Sequence, residues 1–149
     1  MATMEGYRAG RVLMGRLSHG ADLLEEIQAI CRRENIRMGR VEAIGAVSGA
    51  RLGFYNQKER EYAFFNVDQP MEILTLAGNI SVKDGEPMVH AHVVLSDENG
   101  NAVGGHLAVG TTVFACECLI EVLEGAALKR SYDQETGLPL WDMSSTDPA

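Results

Sequence analysis

No stretch of the 149-residue sequence stays apolar over the roughly 18 positions that a membrane-spanning helix needs, and the first residues lack the apolar core of a secretory signal. Cysteine is also scarce. The three cysteines are an odd number and lack the paired spacing of a disulfide framework or a zinc ribbon. These absences argue against membrane and disulfide-rich secreted proteins, and they predict a cytoplasmic protein with free thiols.

Positive charge is limited as well: 13 Lys and Arg residues stand against 21 Asp and Glu residues, which gives a net charge of −8. Binding along the phosphates of a nucleic acid usually needs a basic face, so the charge balance argues against direct nucleic acid binding. The sequence also contains no glycine-rich phosphate loop and no serine or cysteine nucleophile motif. Its length and average composition predict one compact domain.

The spacing of apolar residues predicts an α+β fold, with a mainly antiparallel sheet of about seven strands and one main helix packed on it. A first strand over 11–17 leads through a turn to an amphipathic helix within 21–35, and about six strands follow. The longest of these, over 37–55, is expected to bend or bulge at Gly45 and Gly49.

The pattern changes after residue 123, where small polar residues and prolines become frequent. We therefore assign a domain to residues 8–125 and a partly ordered C-terminal tail to 126–149. Leu140 and Trp141 are expected to anchor this tail on the domain or on a neighbouring subunit, while residues 144–149 are expected to be disordered.

The last long strand carries two cysteines with the spacing of a possible thiolate site. Cys116 and Cys118 are expected to share one side of the strand with Phe114. Because that side is wholly apolar, inert buried thiols are favoured over a metal or redox site.

The segment VHAHVV, residues 89–94, places two histidines on the same side of a strand that otherwise reads as buried. Two histidines with this spacing more often pack in the protein or lie on its surface than bind a metal. His106, fourteen positions after His92, changes that balance, because it lies in the next predicted strand. His19, in a turn before the helix, is expected to lie on the surface.

The first of the two hairpins around His90 and His92 has a strong turn signal at residues 84–85, Asp followed by Gly. In an antiparallel pair, a two-residue turn there places Asn79 opposite His90 and Ala77 opposite His92. A polar side chain and a small one would then flank the two imidazoles.

The second hairpin is ambiguous. If its turn has two residues, His106 faces Val93 and lies on the wrong face of the sheet. If its turn has three residues, with Gly100 in the left-handed conformation, His106 lies directly across from His92. A bulge at 104–105 would restore that facing from the shorter turn.

In either of the latter arrangements, His90, His92 and His106 converge on one patch of the sheet. Neighbours along a strand face are roughly 6.5 to 7 Å apart and cross-strand pairs about 5 Å, which allows three imidazoles to reach one ion at about 2.0–2.1 Å. Three neutral imidazoles with an open fourth position favour Zn²⁺ first, with other late first-row divalent ions as alternatives.

From residue 11 to about 123 the sequence resembles the PPC domain, the "plants and prokaryotes conserved" domain of unknown function. This domain occurs alone in bacteria and archaea and beside AT-hooks in plant nuclear proteins. The matching stretches are AIGAVSGARLGFY, EILTLAGNISVKDGEPMVHAHVVLSDENGNAVGGHL and ACECLIEVL. The order of GNIS, HAH and GGHL within them makes the combination specific.

The resemblance implies a homotrimer of a single α+β fold and a metal on His90, His92 and His106, as in some single-domain prokaryotic members. It also singles out Glu117, for which a solvated strand glutamate is the simpler interpretation. The plant proteins bind AT-rich DNA through a hook of the Arg-Gly-Arg-Pro type outside the domain. This sequence has no such hook.

Two classes of function are compatible with these features. The first, which we favour, is a trimeric binding or regulatory module with a structural or ligand-sensing metal; its DNA-binding label comes from the family alone. The second is a zinc-dependent hydrolase or lyase, in which the metal lowers the pKa of a bound water to about 7. For that enzyme Glu117 or Glu42 would be the general base, and Asn79 would orient the substrate or the water.

Overall fold

The computed structural model describes residues 2–144, and this part of the chain forms one helix and nine strands. In chain order the elements are β1 (Arg8–Leu17), α1 (Leu23–Arg33), β2 (Gly39–Asn56), β3 (Glu61–Val67), β4 (Met71–Lys83), β5 (Glu86–Ser96), β6 (Ala102–Leu107), β7 (Thr112–Glu124), β8 (Arg130–Tyr132) and β9 (Pro139–Trp141). The first seven strands form one antiparallel sheet, which confirms the expected sheet of about seven strands with one main helix.

Helix α1 begins where a side chain can satisfy its first free backbone amides. The carboxylate of Asp22 accepts a hydrogen bond from the Glu25 amide at 3.0 Å. The expected apolar stripe is present, with Leu23, Ile27 and Cys31 buried against the sheet. Burial of this stripe is what holds the helix on one face of the sheet.

The strand order in the large sheet is β1-β7-β2-β4-β5-β6, and β3 pairs with the second half of β2. Strand β2 is long enough to pair also with β6, where Gly53 lies opposite His106 and Leu52 opposite Leu107. Strands β2, β4, β5 and β6 therefore close into a ring, a feature that the sequence patterns do not predict. As a result, β6 is paired with β5 along one edge and with β2 along the other.

Strand β2 bends at Gly45, as expected from the sequence. The pairing of β2 with β4 shifts between Ala43 and Gly45, and Gly45 has a φ of 143°. A Cβ atom at this position would lie 2.1 Å from the carbonyl oxygen of Ala115. Only glycine allows β7 to approach this closely while the backbone keeps that conformation.

The two faces of the sheet differ in burial. The inner face, towards α1, carries the core, including Val41, Leu76, Val93 and Ile120. The outer face carries the residues that alternate with them. Among residues 2–144, no helix is long and apolar enough to cross a lipid bilayer.

The expected facing of β7 is correct for the two cysteines and wrong for Phe114. Cys116 and Cys118 are buried, whereas the Phe114 side chain is 58% exposed. The reason is a bulge: Ala46 pairs with Ala115 and Val47 with Val113, so Phe114 is an extra residue without an opposite partner. A bulge reverses the alternation on one side of it, which turns Phe114 outwards.

The segment after β7 forms the hairpin of β8 and β9. It is anchored by buried Leu128, whose carbonyl accepts a hydrogen bond from the Val82 amide at 2.9 Å. Leu140 and Trp141, the expected anchors, lie at the rim and are 40% and 39% exposed. Residues 145–149, for which disorder was expected, lie outside the described residues.

Candidate metal centre

The hairpin between β4 and β5 has the geometry that its Asp-Gly turn predicts. Both residues at 84–85 have positive φ, 52° and 84°, as a two-residue primed turn requires. Asn79 lies opposite His90 and Ala77 opposite His92, which confirms both expected pairs.

The ambiguous turn between β5 and β6 is a three-residue loop. Gly100 takes the left-handed conformation with a φ of 82°, and the Asp97 carboxylate accepts a hydrogen bond from the Asn101 amide at 2.9 Å. The resulting register places His106 directly opposite His92. Of the alternatives open at the sequence level, the longer turn is therefore the correct one.

The three histidines form one compact cluster on the outer face of the sheet. The ring centroids are 5.1 Å apart for His90 and His92, 5.0 Å for His90 and His106, and 5.6 Å for His92 and His106. One nitrogen from each ring lies within 4.8 Å of the others. His92 is exposed, while His90 and His106 are partly buried.

This arrangement fits a divalent transition metal. A tetrahedral ion with nitrogen ligands at about 2.0–2.1 Å needs those nitrogens about 3.4 Å apart, so from separations of at most 4.8 Å each ring nitrogen needs to move by no more than about 1 Å. Small side-chain rotations provide such movements without any change in strand register. The cluster contains no carboxylate or thiolate, and imidazole donors suit zinc, copper, iron or nickel.

The electrostatic surroundings keep the cluster in the form that binds metal. Burial, together with the neighbouring His106, Arg130 and His92, lowers the pKa of His90 to about 4. Burial and His92 also lower the pKa of His106. Both rings are therefore neutral near pH 7, and neutral imidazole is the form that donates a lone pair to a metal.

One ring nitrogen of the cluster is left without a partner. The Nδ1 atom of His106 is buried and makes no hydrogen bond within residues 2–144. A buried polar atom without a partner is costly unless an ion or ligand occupies the space beside it. This atom is the observation in the structure that most directly supports a bound metal.

An aromatic wall fixes the ring of His106. Tyr62 of β3 packs on it with ring centroids 4.7 Å apart and stacks in turn with Phe64 at 5.7 Å. Gly53 makes this possible, since a Cβ there would lie 3.0 Å from the Phe64 ring and 3.2 Å from the Tyr62 ring. The sequence patterns do not reveal this wall, because it depends on the pairing of β2 with both β3 and β6.

Arg130, on β8, is also near the cluster and is also missed by the sequence patterns. Its guanidinium donates hydrogen bonds to Asn79 Oδ1 at 2.7 Å, Ser81 Oγ at 2.8 Å and the Pro139 carbonyl at 2.9 Å. Asn79 is the expected polar neighbour of His90, and the structure shows that its amide oxygen is already bonded to Arg130. The tail thus brings a cation to the edge of the histidine cluster.

Glu42 and Glu117 lie on the same face of the sheet as the histidines but outside the cluster. Glu42 is opposite Ala77, which separates it from His92 by two strand spacings, about 10 Å. Glu117 is one strand further away on β7, and Glu42 forms an ion pair with Arg40 at 3.3 Å. Their role as general bases stays a prediction.

A family model described as the Plants and Prokaryotes Conserved (PCC) domain, the PPC domain named above, matches residues 4–124. This chain belongs to the PPC family. The match begins before β1, ends at the last residue of β7 and includes all three histidines.

Solved structures of similar proteins include a metal-containing protein from Archaeoglobus fulgidus, with 38% sequence identity and a TM-score of 0.90 over 94% of this PPC chain and 99% of that one. A PPC protein from Pyrococcus horikoshii has 33% identity and a TM-score of 0.89, covering 95% and 97%. A proposed DNA-binding protein from Bacteroides thetaiotaomicron has 25% identity and a TM-score of 0.84, covering 93% and 98%.

Among curated proteins, the bifunctional protein GlmU of a Synechococcus strain is 33% identical over 105 residues. That match covers 70% of this PPC chain but only 16% of the relative. The chain therefore spans about a sixth of the length of the curated relatives that it matches, and the similarity shows a shared domain only.

Proposed function

We propose that this PPC protein is a homotrimeric metal-binding module that holds Zn²⁺, or another divalent first-row ion, on His90, His92 and His106 and acts in binding or regulation. The observation that carries the metal site is the buried, unpartnered Nδ1 of His106 within a cluster of three imidazoles. The similar Archaeoglobus protein is described as containing a metal. Zinc is proposed first because the donors are all imidazole nitrogens.

The homotrimer is supported by an apolar surface on β1 and β2. On the outer face of the sheet, Val12, Met14 and Ile44 are 54%, 80% and 57% exposed in a single chain. Side chains of this kind gathered on one face are typical of a surface that another protein covers. The number of three subunits comes from the family resemblance, and a second and third copy of the same chain are the proposed cover.

The metal site is tested by metal analysis of protein purified without chelator and then loaded with zinc. We expect one ion per chain in the unaltered protein and a loss of at least tenfold in affinity when His106 is replaced by Ala. His19→Ala is the matched control, because His19 is exposed and bonds a backbone carbonyl at 2.8 Å. Equal metal content in the unaltered protein and the His106 variant would refute the site.

The trimer is tested by light scattering on the eluting protein and by the variant Ile44→Asp. A mass three times that of the chain is expected for the unaltered protein, with dissociation in the variant. Met4→Asp serves as the control, since Met4 is 86% exposed near the N-terminus. A monomer in both proteins would exclude the assembly.

A metal-dependent enzyme is the alternative, and the cavity that borders His90 is the observation in its favour. A zinc ion held by three imidazoles supplies Lewis-acid chemistry and activates water. Within this chain, Asn79 and Arg130 are the polar groups beside the cluster. A hydrolase panel with and without zinc, repeated with the His106 variant, separates this alternative from the module.

Direct DNA binding is the third candidate, supported only by the description of similar proteins such as the one from Bacteroides. The net charge of −8 opposes it. If DNA were bound through its phosphates, the affinity would fall steeply with rising salt. Absence of binding at low salt would remove this candidate.

A further inference from the structure

A cavity of about 630 Å³ lies directly beside the histidine cluster, on the outer face of the sheet. His90, Asn79 and Arg130 border it on the side of the cluster, and apolar side chains such as Leu123 and Trp141 form much of the rest. Its volume is within the range of small-molecule pockets, about 300–1,000 Å³. The tail supplies a large part of the wall, although it lies outside the residues that the PPC model matches.

The charge at the polar end of this cavity is unbalanced. Arg130 is partly buried, and burial lowers its pKa. Its three hydrogen-bond partners, on Asn79, Ser81 and Pro139, are all neutral, and within residues 2–144 it forms no ion pair with a carboxylate. A guanidinium removed from water without a counter-charge is unfavourable, so an anion placed beside it is stabilised.

The other arginine that borders the cavity does not share this property. Arg40 contacts the carboxylate of Glu121 at 2.6 Å and that of Glu42 at 3.3 Å. The cavity therefore offers one uncompensated cation, and Glu5 adds a negative charge elsewhere in its wall. One guanidinium without a counter-charge matches a singly charged carboxylate in charge, and two of its five N–H groups remain after the three hydrogen bonds above, whereas a phosphate group would need further donors.

We propose that this cavity binds a small organic carboxylate, with the carboxylate between Arg130 and the histidine cluster and an aliphatic or aromatic body against Leu123, Leu128 and Trp141. The inference rests in part on the proposed function, since the metal would present a second positive charge to the carboxylate. Arg130 is then the residue that selects acids over their neutral analogues. The tail hairpin, through Arg130 and Trp141, sets the shape of the ligand.

The chain contains a built-in reporter for this experiment. Trp141 is its single tryptophan, and the Arg130 guanidinium lies 5.6 Å from the centre of its ring. We would titrate hexanoate into the zinc-loaded and the chelator-treated protein and follow tryptophan fluorescence, with calorimetry as a second readout. Hexanamide is the neutral analogue, and hexyl phosphate is the doubly charged one.

We expect saturable binding of hexanoate, at least tenfold weaker binding of hexanamide and hexyl phosphate, and tighter binding of hexanoate when zinc is present. Arg130→Gln should weaken hexanoate at least tenfold and leave hexanamide unchanged. Arg130→Lys keeps the charge but loses the planar guanidinium, so its affinity for hexanoate should lie between those of the unaltered protein and Arg130→Gln. Arg33→Gln is the matched control, because Arg33 lies on the exposed side of α1, 69% accessible. The tryptophan emission of each ligand-free variant shows whether the hairpin is still docked.

Two outcomes would overturn the proposal. The first is no saturable response to hexanoate in protein that has taken up one zinc per chain, a result that leaves the metal centre intact. The second is equal affinity for hexanoate and hexanamide, or unchanged hexanoate binding in Arg130→Gln. If the protein takes up no zinc, the proposed metal function fails, while Arg130-dependent binding of hexanoate in the same protein would still support the carboxylate pocket.

Discussion

The phenol ring of Tyr62 covers the imidazole of His106, with ring centroids 4.7 Å apart and planes inclined by 37°. Because this contact holds one of the proposed metal ligands in place, we expect Tyr62→Ala to weaken zinc binding by about tenfold. Tyr62→Phe keeps the ring and should bind zinc normally. Competition with a fluorescent zinc chelator measures both, and equal affinities for Tyr62→Ala and the unaltered protein would contradict the orienting role.

The length of the loop between β5 and β6 determines which face His106 occupies. If the three-residue loop is kept, deletion of Gly104 from β6 would move His106 by one position, opposite Val93 and away from the other two histidines. We expect this variant to lose zinc binding. Gly100→Ala is its control, since Gly100 has a φ of 82° and open space around it. That substitution should cost about 1 kcal/mol of stability and keep one zinc per chain.

The low pKa of His90 predicts how the stability of the metal-free protein depends on pH. A free imidazole has a pKa of about 6.5, whereas that of His90 in the fold is lowered to about 4. The unfolded chain therefore takes up the proton first. The contribution of the neutral His90 ring to folding stability is therefore fully present above about pH 6.5, and it is lost as the pH falls towards 4.

Thermal unfolding of chelator-treated protein between these pH values measures the effect. His90→Asn removes the titrating group, so its melting temperature should fall less over this range than that of the unaltered protein. Parallel curves for the two proteins would show that His90 titrates alike in the folded and unfolded chains.

The bend in β2 predicts that alanine substitutions at two glycines differ greatly in their cost to stability. Gly45→Ala would place a Cβ 2.1 Å from the Ala115 carbonyl oxygen at a φ of 143°, and should cost about 3 kcal/mol or more. Gly15→Ala in β1 meets nothing within 4 Å and should change stability little. Urea unfolding of the two variants provides the comparison, and similar midpoints would contradict the need for glycine in the bend.

The three cysteines are predicted to be chemically inert in the folded protein. Burial raises the pKa of Cys31 and of Cys116 to about 11 and that of Cys118 to about 12. Reaction with a thiol reagent at neutral pH should therefore be slower by on the order of a hundredfold than in denaturant, where all three react. Rapid labelling of one thiol in the native state would show that the helix or strand that carries it opens.

The parts of the fold that the sequence predicts correctly depend on local rules. The Asp-Gly turn at 84–85 specifies its own geometry, and the strand period then places Asn79 opposite His90. The loop at Gly100 left two registers open, because both turn lengths are compatible with its residues. In the register that forms, β6 also pairs with β2, and Gly53 lies opposite His106.

What the sequence does not predict depends on contacts between distant segments. Arg130 lies 51 positions from the Asn79 oxygen that it contacts, and no periodic pattern relates the two. The predicted orientation of the Phe114 side chain is wrong for another reason. Alternation along a strand assumes an uninterrupted ladder, and the bulge in β7 breaks that assumption without any turn residue to signal it.

The pairing of β6 with both β5 and β2 has a consequence for how the protein would exchange the proposed metal. Backbone hydrogen bonds hold the chain around His106 from both sides, so its backbone would keep its place whether or not an ion is present. Loading and release would then require side-chain rotations and little reorganisation of the backbone. Ions would be discriminated by their own coordination preferences, and different metals could replace one another without refolding.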